Sequence, residues 1–183
     1  GADAVYVSVG NFSLRQRSAK EFDLERFEDG VRLAHKSGAK FYATINGFPY
    51  NTQLDNLKKH IKTVSEFGVD AFIIATPGVM KLAKEIAPHI EVHLSTQANV
   101  MNYLDAQIYH EMGASRIVAA REMSLKDAVL IKEMIPSLEL EIFCHGSMCF
   151  AYSGRCLVSA VQSGRLSNRG SCANDCRFNY ELY

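Results

Sequence analysis

The sequence lacks the features that would place it in a membrane or a secreted class. No apolar run approaches the roughly 20 residues that a membrane-spanning helix requires. No signal peptide opens the chain. The five cysteines, an odd number without a secretory signal, favour a reducing compartment. We therefore expect a cytoplasmic protein with no membrane partner.

Three common enzyme signatures are also missing. The chain contains no H-E-x-x-H motif, since His110-Glu111 is followed by Met-Gly-Ala, and it contains no G-x-S-x-G turn. No glycine-rich dinucleotide fingerprint is present either. These absences argue against a helix-borne zinc peptidase, a serine hydrolase and a dinucleotide-binding sheet.

The sequence also has no excess of charge of either sign. Twenty basic residues balance twenty acidic ones, so bulk electrostatics neither requires nor excludes a nucleic-acid partner. Apolar residues make up 48% of the chain and charged residues 22%, which is ordinary for a soluble globular protein. A chain of 183 residues is long enough for one domain with its own core.

What the sequence does contain is a repeated pattern of a glycine followed by an apolar strand. Gly38, Gly68 and Gly113 are each suited to ending a helix, and each precedes a short buried-strand pattern. Apolar stripes at helical spacing fill the intervals between strands. Such alternation predicts a parallel sheet, because each helix returns the chain to start the next strand in the same direction.

The number of repeats favours a barrel. Strand–helix alternation occurs at least six times, and Gly1-Ala-Asp before residues 4–8 repeats the same pattern. We therefore expect a TIM-barrel-like parallel (β/α) domain that lacks its first strand and helix, with an open doubly wound sheet as the alternative. Residues 1–146 are assigned to barrel strands and helices. Residues 147–183 are assigned to a cysteine-rich segment that completes the same domain.

The phase of the strands indicates where a site should lie. In residues 91–97, Val92 and Leu94 fall on one face, while His93 and Ser95 fall on the other, which should line the barrel interior. Sites in such barrels lie at the carboxyl ends of the strands. This nominates the polar residues at strand ends and the inner-facing Glu141: Asn46, Gln97, Asn99, Arg121, Glu122, Glu141 and His145.

Structural roles are the alternative for several of these residues. His93 beside Glu91 could be a core histidine with its hydrogen bonds satisfied, and Glu141 could bond the backbone at the barrel floor. Arg121 and Glu122 could form a local ion pair that holds a loop. His145 closely precedes a cysteine, which favours a functional role or support of a ligand.

Four of the five cysteines fall in one stretch near the end of the chain: Cys149, Cys156, Cys172 and Cys176. Zinc sites usually show two short C-x₂₋₄-C pairs, and only the last two cysteines fit that form. A disulfide framework is disfavoured without a secretory context. An iron–sulfur cluster needs four soft ligands and tolerates varied spacing. Unligated buried cysteines remain the plain alternative, and Cys144 is expected on the helix-facing side of its strand.

The cysteine stretch is locally basic. Between Ile142 and Tyr180 the only acidic residue is Asp175. The arginines there are either solvated surface residues or a patch for phosphate or a carboxylate substrate. They are Arg155, Arg165, Arg169 and Arg177.

The segment Glu141-x-Phe143-x₂-Gly146-Ser147-Met148-Cys149-x₄-Gly154-x-Cys156-x-Val158-Ser159 resembles the signature of the collagenase-like peptidases, family thirty-two of the unassigned peptidases. The four-cysteine spacing is also that family's. The resemblance runs along nearly the whole chain. Its further landmarks are Gly1-Ala-Asp-Ala-Val-Tyr, Ser13-Leu-Arg15, His93-x-Ser95-x-Gln97-x-Asn99, Arg121-Glu122-x-Ser124-Leu125, Tyr152-Ser-Gly-Arg-Cys156 and Asn168-Arg-Gly-x-Cys172.

The resemblance implies properties that composition does not show. It implies a four-iron four-sulfur cluster held by Cys149, Cys156, Cys172 and Cys176. It implies hydroxylation without molecular oxygen, with prephenate, a small dicarboxylate, as the oxygen donor. Substrates differ by branch: the wobble uridine of transfer RNA, a cytidine of large-subunit ribosomal RNA, or a ubiquinone precursor. The surroundings of Ser13 and Cys156 favour the transfer-RNA branch.

We therefore expect an enzyme that 5-hydroxylates the wobble uridine of transfer RNA. The expected catalytic residues are His145, Glu141, Arg121 and Glu122. The expected substrate-binding residues are Gln97, Asn99, Arg155, Arg169 and Arg177. A collagenase-like peptidase is the second interpretation, with Cys149 and His145 as a conceivable nucleophile pair, although ligated thiolates are poor nucleophiles. A noncatalytic RNA-binding module that holds zinc is the third.

Overall fold

The computed structural model describes residues 1–13, 23–146, 149, 151–152, 156–165, 167 and 171–181. Within these ranges the strands are β1 Ala4–Ser8, β2 Lys40–Ile45, β3 Ala71–Ile74, β4 Glu91–Leu94, β5 Arg116–Val118 and β6 Glu139–Glu141. The α-helices are α1 Leu24–Lys36, α2 Leu54–Glu66, α3 Pro77–Ile86, α4 Tyr103–Glu111, α5 Leu125–Met134 and α6 Val158–Ser163. None of these described helices has the length and apolar character that crossing a bilayer demands.

The six described strands form one parallel sheet in the order β1-β2-β3-β4-β5-β6. Neighbours in the chain are therefore neighbours in the sheet, without the reversal of order that defines a doubly wound fold. The sheet is curled, as one long-range contact shows. Arg116 on β5 donates a hydrogen bond to Tyr42 on β2, although two strands lie between them in the sheet. The predicted parallel α/β architecture of the barrel type is confirmed as a curled half-barrel.

The helices cover the outer face of the sheet and bury its apolar residues. Phe72 and Ile74 on β3 are fully buried, as are Phe27 of α1 and Leu57 of α2. The rings of Phe27 and Phe41 meet edge to face with centroids 5.0 Å apart. Burying each such side chain contributes about 1.5–3 kcal/mol relative to leaving it exposed. Val92 and Leu94 on β4 are also buried, which confirms the phase predicted for that strand.

The helix ends follow the signals in the sequence. Asp23 accepts a hydrogen bond from the Arg26 backbone N–H at 2.9 Å and begins α1. The sequence Ser124-Leu-Lys-Asp127 has the pattern of a capping box, and Ser124 indeed accepts a hydrogen bond from the Asp127 N–H at 3.2 Å and begins α5. Gly113, which follows α4, has a φ of +102°, in the left-handed region that favours glycine.

The last strand is shorter than the sequence pattern suggests. A strand was expected over residues 138–143, but β6 ends at Glu141. Its partner β5 ends at Val118, and the bond from the Ala119 N–H to the Glu141 carbonyl at 2.8 Å closes the pairing. Cys144 therefore follows the strand and is exposed, so its expected helix-facing placement is wrong.

Gly47 fixes the end of β2 against the turn that follows β1, and this contact yields a stability prediction. Its N–H donates to the Phe12 carbonyl at 2.7 Å, and a Cβ on Gly47 would lie 2.8 Å from that oxygen. Gly47→Ala should therefore lower the free energy of unfolding by about 1–3 kcal/mol, because backbone must move. Denaturant unfolding of the purified protein measures this.

Gly78→Ala is the matched control. Gly78 lies in α3, and a Cβ there would meet no atom within 4 Å. Alanine should leave stability unchanged or raise it by up to about 1 kcal/mol, since alanine is the better helix former. Equal effects of the two substitutions would contradict the role of Gly47.

Candidate functional site

A set of polar side chains, here called the carboxyl-edge cluster, lies where β1, β2 and β4 end. Its members are Ser8, Ser13, Thr44, Asn46 and Ser95. The Ser8 hydroxyl lies 2.7 Å from the hydroxyls of both Ser13 and Thr44. The Asn46 amide accepts from Ser13 at 3.4 Å and donates to Ser95 at 3.5 Å. Parallel strands bring their carboxyl ends to one edge, so residues distant in the sequence form one connected network.

The loop after β4 extends this edge. The Ser95 hydroxyl accepts from the Gln97 N–H at 3.4 Å and begins a one-turn 3₁₀ helix, Thr96–Ala98. Asn99 ends that turn with a φ of +59°, a conformation that asparagine tolerates better than most residues. The Thr96 hydroxyl donates to the Ala119 carbonyl at 2.8 Å and ties this loop to the end of β5.

Two carboxamide oxygens in this loop are buried without a partner. Within the described part of the chain, Gln97 Oε1 and Asn99 Oδ1 accept no hydrogen bond. A buried acceptor left in this state costs about 1–3 kcal/mol. Such atoms call for an explanation, and a ligand or an ordered water that donates to them is the simplest one. The sequence nominated both residues, and the structure places them at the same sheet edge.

The ends of β5 and β6 carry the remaining predicted residues. The Arg121 guanidinium lies over the Phe143 ring, 5.0 Å from its centroid, and that ring is half exposed. Glu122 and His145 are exposed on the same edge. Glu141 pairs with Arg116 at 3.5 Å rather than bonding backbone at the barrel floor. Their catalytic role remains a prediction, although their position at the carboxyl edge agrees with it.

A second group, the inner ionic cluster, lies on the inner face nearer the amino ends of the strands. It comprises Tyr42, His93, Arg116 and Glu139, and Arg116 also reaches Glu141 at the end of β6. Arg116 donates to Glu139 at 2.8 Å and lies over the Tyr42 ring, 5.5 Å from its centroid. The His93 and Tyr42 rings meet edge to face with centroids 4.6 Å apart. Hydrogen bonding from Arg116 holds the pKa of Glu139 below its ordinary value. This cluster ties four strands together across the inner face.

Sequence reasoning missed Tyr42 and Arg116. A signal existed, because Arg116 is in register with His93 on β4 and Glu139 on β6, both on the polar side of their strands. Burial lowers the pKa of His93, and a 3.2 Å contact with Glu91 only partly offsets this. His93 is therefore a buried neutral histidine near pH 7.

Two of the four clustered cysteines accept backbone hydrogen bonds. Cys156 Sγ accepts from the Val158 N–H, and Cys172 Sγ from the Asn174 N–H, each at 3.4 Å. Such bonds stabilise thiolates, and hydrogen bonds to sulfur tune iron–sulfur clusters. All five cysteines lie in described residues and none forms a disulfide, which argues against the disulfide alternative.

Short contacts organise the segment that carries these cysteines. Helix α6 packs on the one-turn 3₁₀ helix Asp175–Arg177, and the Ser163 hydroxyl donates to Asp175 at 2.5 Å. The Ala173 N–H donates to the Ser159 hydroxyl at 3.2 Å. The Ser167 hydroxyl donates to the carbonyl of Cys156 at 2.5 Å.

The thiols do not converge on one point in this arrangement. No three Cys, His, Asp or Glu side chains of the described residues are grouped closely enough to hold a metal ion. Four thiols are the right kind of donor for an iron–sulfur cluster, but this arrangement does not bring them together, so the cluster stays a prediction. Arg177 is exposed beside the last cysteine. Arg155 and Arg169 lie outside the described residues.

Comparison with known proteins gives the family. The model of peptidase family U32 matches residues 1–183. The chain belongs to peptidase family U32. The resemblance read from the cysteine signature is thus confirmed.

The proteins that this U32 chain is similar to in sequence include relatives named for RNA modification. It is 64% identical over 183 residues to tRNA hydroxylation protein P of Helicobacter pylori, covering 100% of the chain and 43% of that protein. It is 35% identical over 182 residues to the 23S rRNA 5-hydroxycytidine C2501 synthase of Escherichia coli, covering 100% and 27%. A collagenase of Porphyromonas gingivalis is 32% identical over 192 residues, covering 100% and 46%. The chain spans less than half the length of each of these relatives.

A solved structure supports the fold of this U32 chain. The U32 peptidase Mk0906 superposes with a TM-score of 0.61 at 19% identity, covering 76% of the chain and 60% of that structure. At this identity the similarity shows the fold alone.

The half-buried His60 and the buried His93 predict how stability depends on pH. His60 of α2 packs on the Phe12 ring with centroids 5.3 Å apart, and burial lowers its pKa from 6.5 to about 4. The pKa of His93 is lowered in the same direction. Between the folded and unfolded pKa values, the unfolded chain therefore binds more protons than the folded chain does. Stability should fall as the pH drops below about 6.5, and His60 should contribute about 1.4 kcal/mol per pH unit until its folded pKa of about 4 is reached. His93 should act in the same direction.

Denaturant unfolding of the purified protein and of His60→Phe at pH 7.5 and 5.5 checks this. The variant should lose about 1.4 kcal/mol less than the wild type over that interval, because one of the two histidines is gone. An identical loss in both proteins would show that His60 is not protected from protonation in the fold.

Proposed function

We propose that this chain belongs to an RNA hydroxylase that modifies transfer RNA. The observation that carries the proposal is 64% identity along the whole chain to a protein named for tRNA hydroxylation. A second relative is named for making 5-hydroxycytidine in ribosomal RNA, so hydroxylation of an RNA base is common to two branches. Because the chain spans only part of each relative, the activity is proposed for the full-length protein.

The finer proposal is 5-hydroxylation of the wobble uridine, in the cytoplasm, with prephenate as the oxygen donor. It rests on the family resemblance. Arginines of this chain suit the charges of both substrates, because a guanidinium binds carboxylate or phosphate through two parallel hydrogen bonds. Arg121 at the end of β5 and Arg177 in the cysteine segment are the described residues proposed for this role.

We also propose that Cys149, Cys156, Cys172 and Cys176 hold a four-iron four-sulfur cluster. Such a cluster supplies electron-transfer chemistry when bound. The backbone N–H groups of Val158 and Asn174 would then stabilise two of its thiolate ligands.

The remaining chemistry falls to side chains at the carboxyl edge. Glu141 and His145 lie at and just beyond the end of β6. The exposed His145 imidazole can accept or return a proton at the reacting base, and the Glu141 carboxylate, paired with Arg116 at 3.5 Å, can do so if that ion pair opens. Glu122 follows β5 on the same edge and can help orient the substrate. The Asn46–Ser95 hydrogen bond keeps the neighbouring wall rigid.

A peptidase is the second candidate, favoured by the identity to a collagenase. Two features weigh against it. The sequence has neither H-E-x-x-H nor G-x-S-x-G. A Cys149–His145 pair would also need a thiolate free of metal.

Paired cysteine substitutions test the hydroxylase. A strain lacking the full-length gene is complemented with wild type, Cys156→Ala or Cys144→Ala, and its transfer-RNA nucleosides are measured by mass spectrometry. Cys156→Ala should abolish the hydroxylated uridine, because the proposed cluster loses a ligand. Cys144→Ala should retain it, because Cys144 is exposed and outside the four-cysteine set. Retained modification in Cys156→Ala would refute the ligand assignment.

Metal content of the anaerobically purified full-length protein separates the three interpretations. About four iron atoms and four sulfides per chain, as a cubane cluster contains, support the hydroxylase. Zinc alone supports a noncatalytic RNA-binding module. A metal-free protein that cleaves gelatin supports the peptidase. The Cys144→Ala protein should match the wild type in iron content, and Cys156→Ala should not.

A further inference from the structure

We infer that the loop after β4 reads the edge of the target pyrimidine through the side-chain carbonyls of Gln97 and Asn99. This inference rests on the proposed function and names the residues that recognise the base. It is carried by the two buried carboxamide oxygens that find no hydrogen-bond partner within the described residues.

The backbone around these two residues is held in place. The Ser95 hydroxyl accepts from the Gln97 N–H, and the Asn99 N–H donates to the Thr96 carbonyl at 3.0 Å. Val100 accepts from the Ala120 N–H at 3.1 Å, which joins the loop to the end of β5. A backbone held by hydrogen bonds and side-chain acceptors without partners together form a preorganised site for hydrogen-bond donors.

The chemistry of the loop selects the class of ligand. A carboxamide offers one acceptor and one donor side by side, which matches the N3–H and a carbonyl of uracil. The unpaired atoms are acceptors, so the missing partner must donate. The two carboxylates of the oxygen donor offer only acceptors at neutral pH and would be repelled by these oxygens, which leaves a single hydroxyl as that molecule's donor. Uracil presents an N–H donor beside a carbonyl acceptor, as a carboxamide does, so the base is the occupant that fits this loop better.

An aromatic surface lies farther along the same edge. The Phe143 ring is half exposed, and the Arg121 guanidinium lies over it, 5.0 Å from its centroid. Unstacked RNA bases are commonly held on aromatic rings and guanidinium planes while their edges are read by hydrogen bonds. The carboxyl edge thus offers an aromatic surface on which an unstacked base can lie and hydrogen-bond acceptors that can bind its edge.

The direct test is RNA binding by the full-length protein. Two anticodon stem-loop oligonucleotides are compared, one with uridine at the wobble position and one with 3-methyluridine, which has no N3–H to donate. Wild type should bind the uridine oligonucleotide about tenfold tighter or better. Gln97→Met, which keeps the length of the side chain but removes the acceptor, should lose that preference. Asn99→Gly should do the same, and glycine accepts the positive φ at this position.

The matched control is Gln107→Met. Gln107 is exposed on α4 and donates to Glu111 at 2.9 Å, away from the carboxyl edge, so this substitution should leave the uridine preference intact. Equal binding of the two oligonucleotides by wild type overturns the inference. An undiminished preference in both Gln97→Met and Asn99→Gly also overturns it and leaves ordered water as the partner of the two oxygens.

Failure of the inference and failure of the proposed function give different results. The wild-type comparison needs neither turnover nor a variant, so misfolding of a variant does not affect it. Hydroxylated uridine in the complemented strain together with equal oligonucleotide binding would leave the proposed function standing and remove the base-reading role. No hydroxylated uridine in the wild-type strain would remove the proposed function itself.

Discussion

Burial of every second strand residue under the helices is the constraint on which the rest of the structure depends. Side chains alternate across a strand, so placing Phe72 and Ile74 against the helices turns their neighbours to the inner face. On β2 the same alternation turns Tyr42 and Thr44 inward, and on β4 it turns His93 inward. A slip of one residue in any strand would bury polar side chains under the helices and expose the apolar core.

The inner face divides into two levels with different roles. Near the amino ends, Arg116 satisfies Glu139 and contacts Tyr42, so charge there is largely neutralised within the protein. Near the carboxyl ends, hydroxyl and carboxamide groups form a neutral network, and the buried side-chain oxygens of Gln97 and Asn99 lack a hydrogen-bond partner within the described residues. The first level ties the strands together. The second level has hydrogen-bond acceptors without partners, and we therefore propose that the ligand binds there.

Much of the fold could be predicted from the sequence, because the signals are local. Glycines at helix ends, the Ser124 cap and the apolar phase of β4 each involve a few neighbouring residues. The contact between Arg116 and Tyr42 could not be predicted, since it joins residues 74 positions apart and depends on the curl of the sheet. The predicted position of Cys144 was wrong because the partner strand β5 sets where β6 ends. The same holds for the cysteines. Their spacing in the sequence identifies four candidate ligands, but it does not predict whether the fold brings the four sulfurs together.

The account's central claim is that RNA meets the carboxyl edge of the sheet, and photo-crosslinking tests it most directly. Transfer RNA carrying 4-thiouridine at the wobble position is irradiated with the full-length protein, and the crosslinked peptides are identified by mass spectrometry. Crosslinks should fall in the loops after β4, β5 and β6, at residues 95–100, 119–123 and 142–146. Crosslinks confined to the outer faces of α1 to α3, with none at the strand ends, would contradict the account.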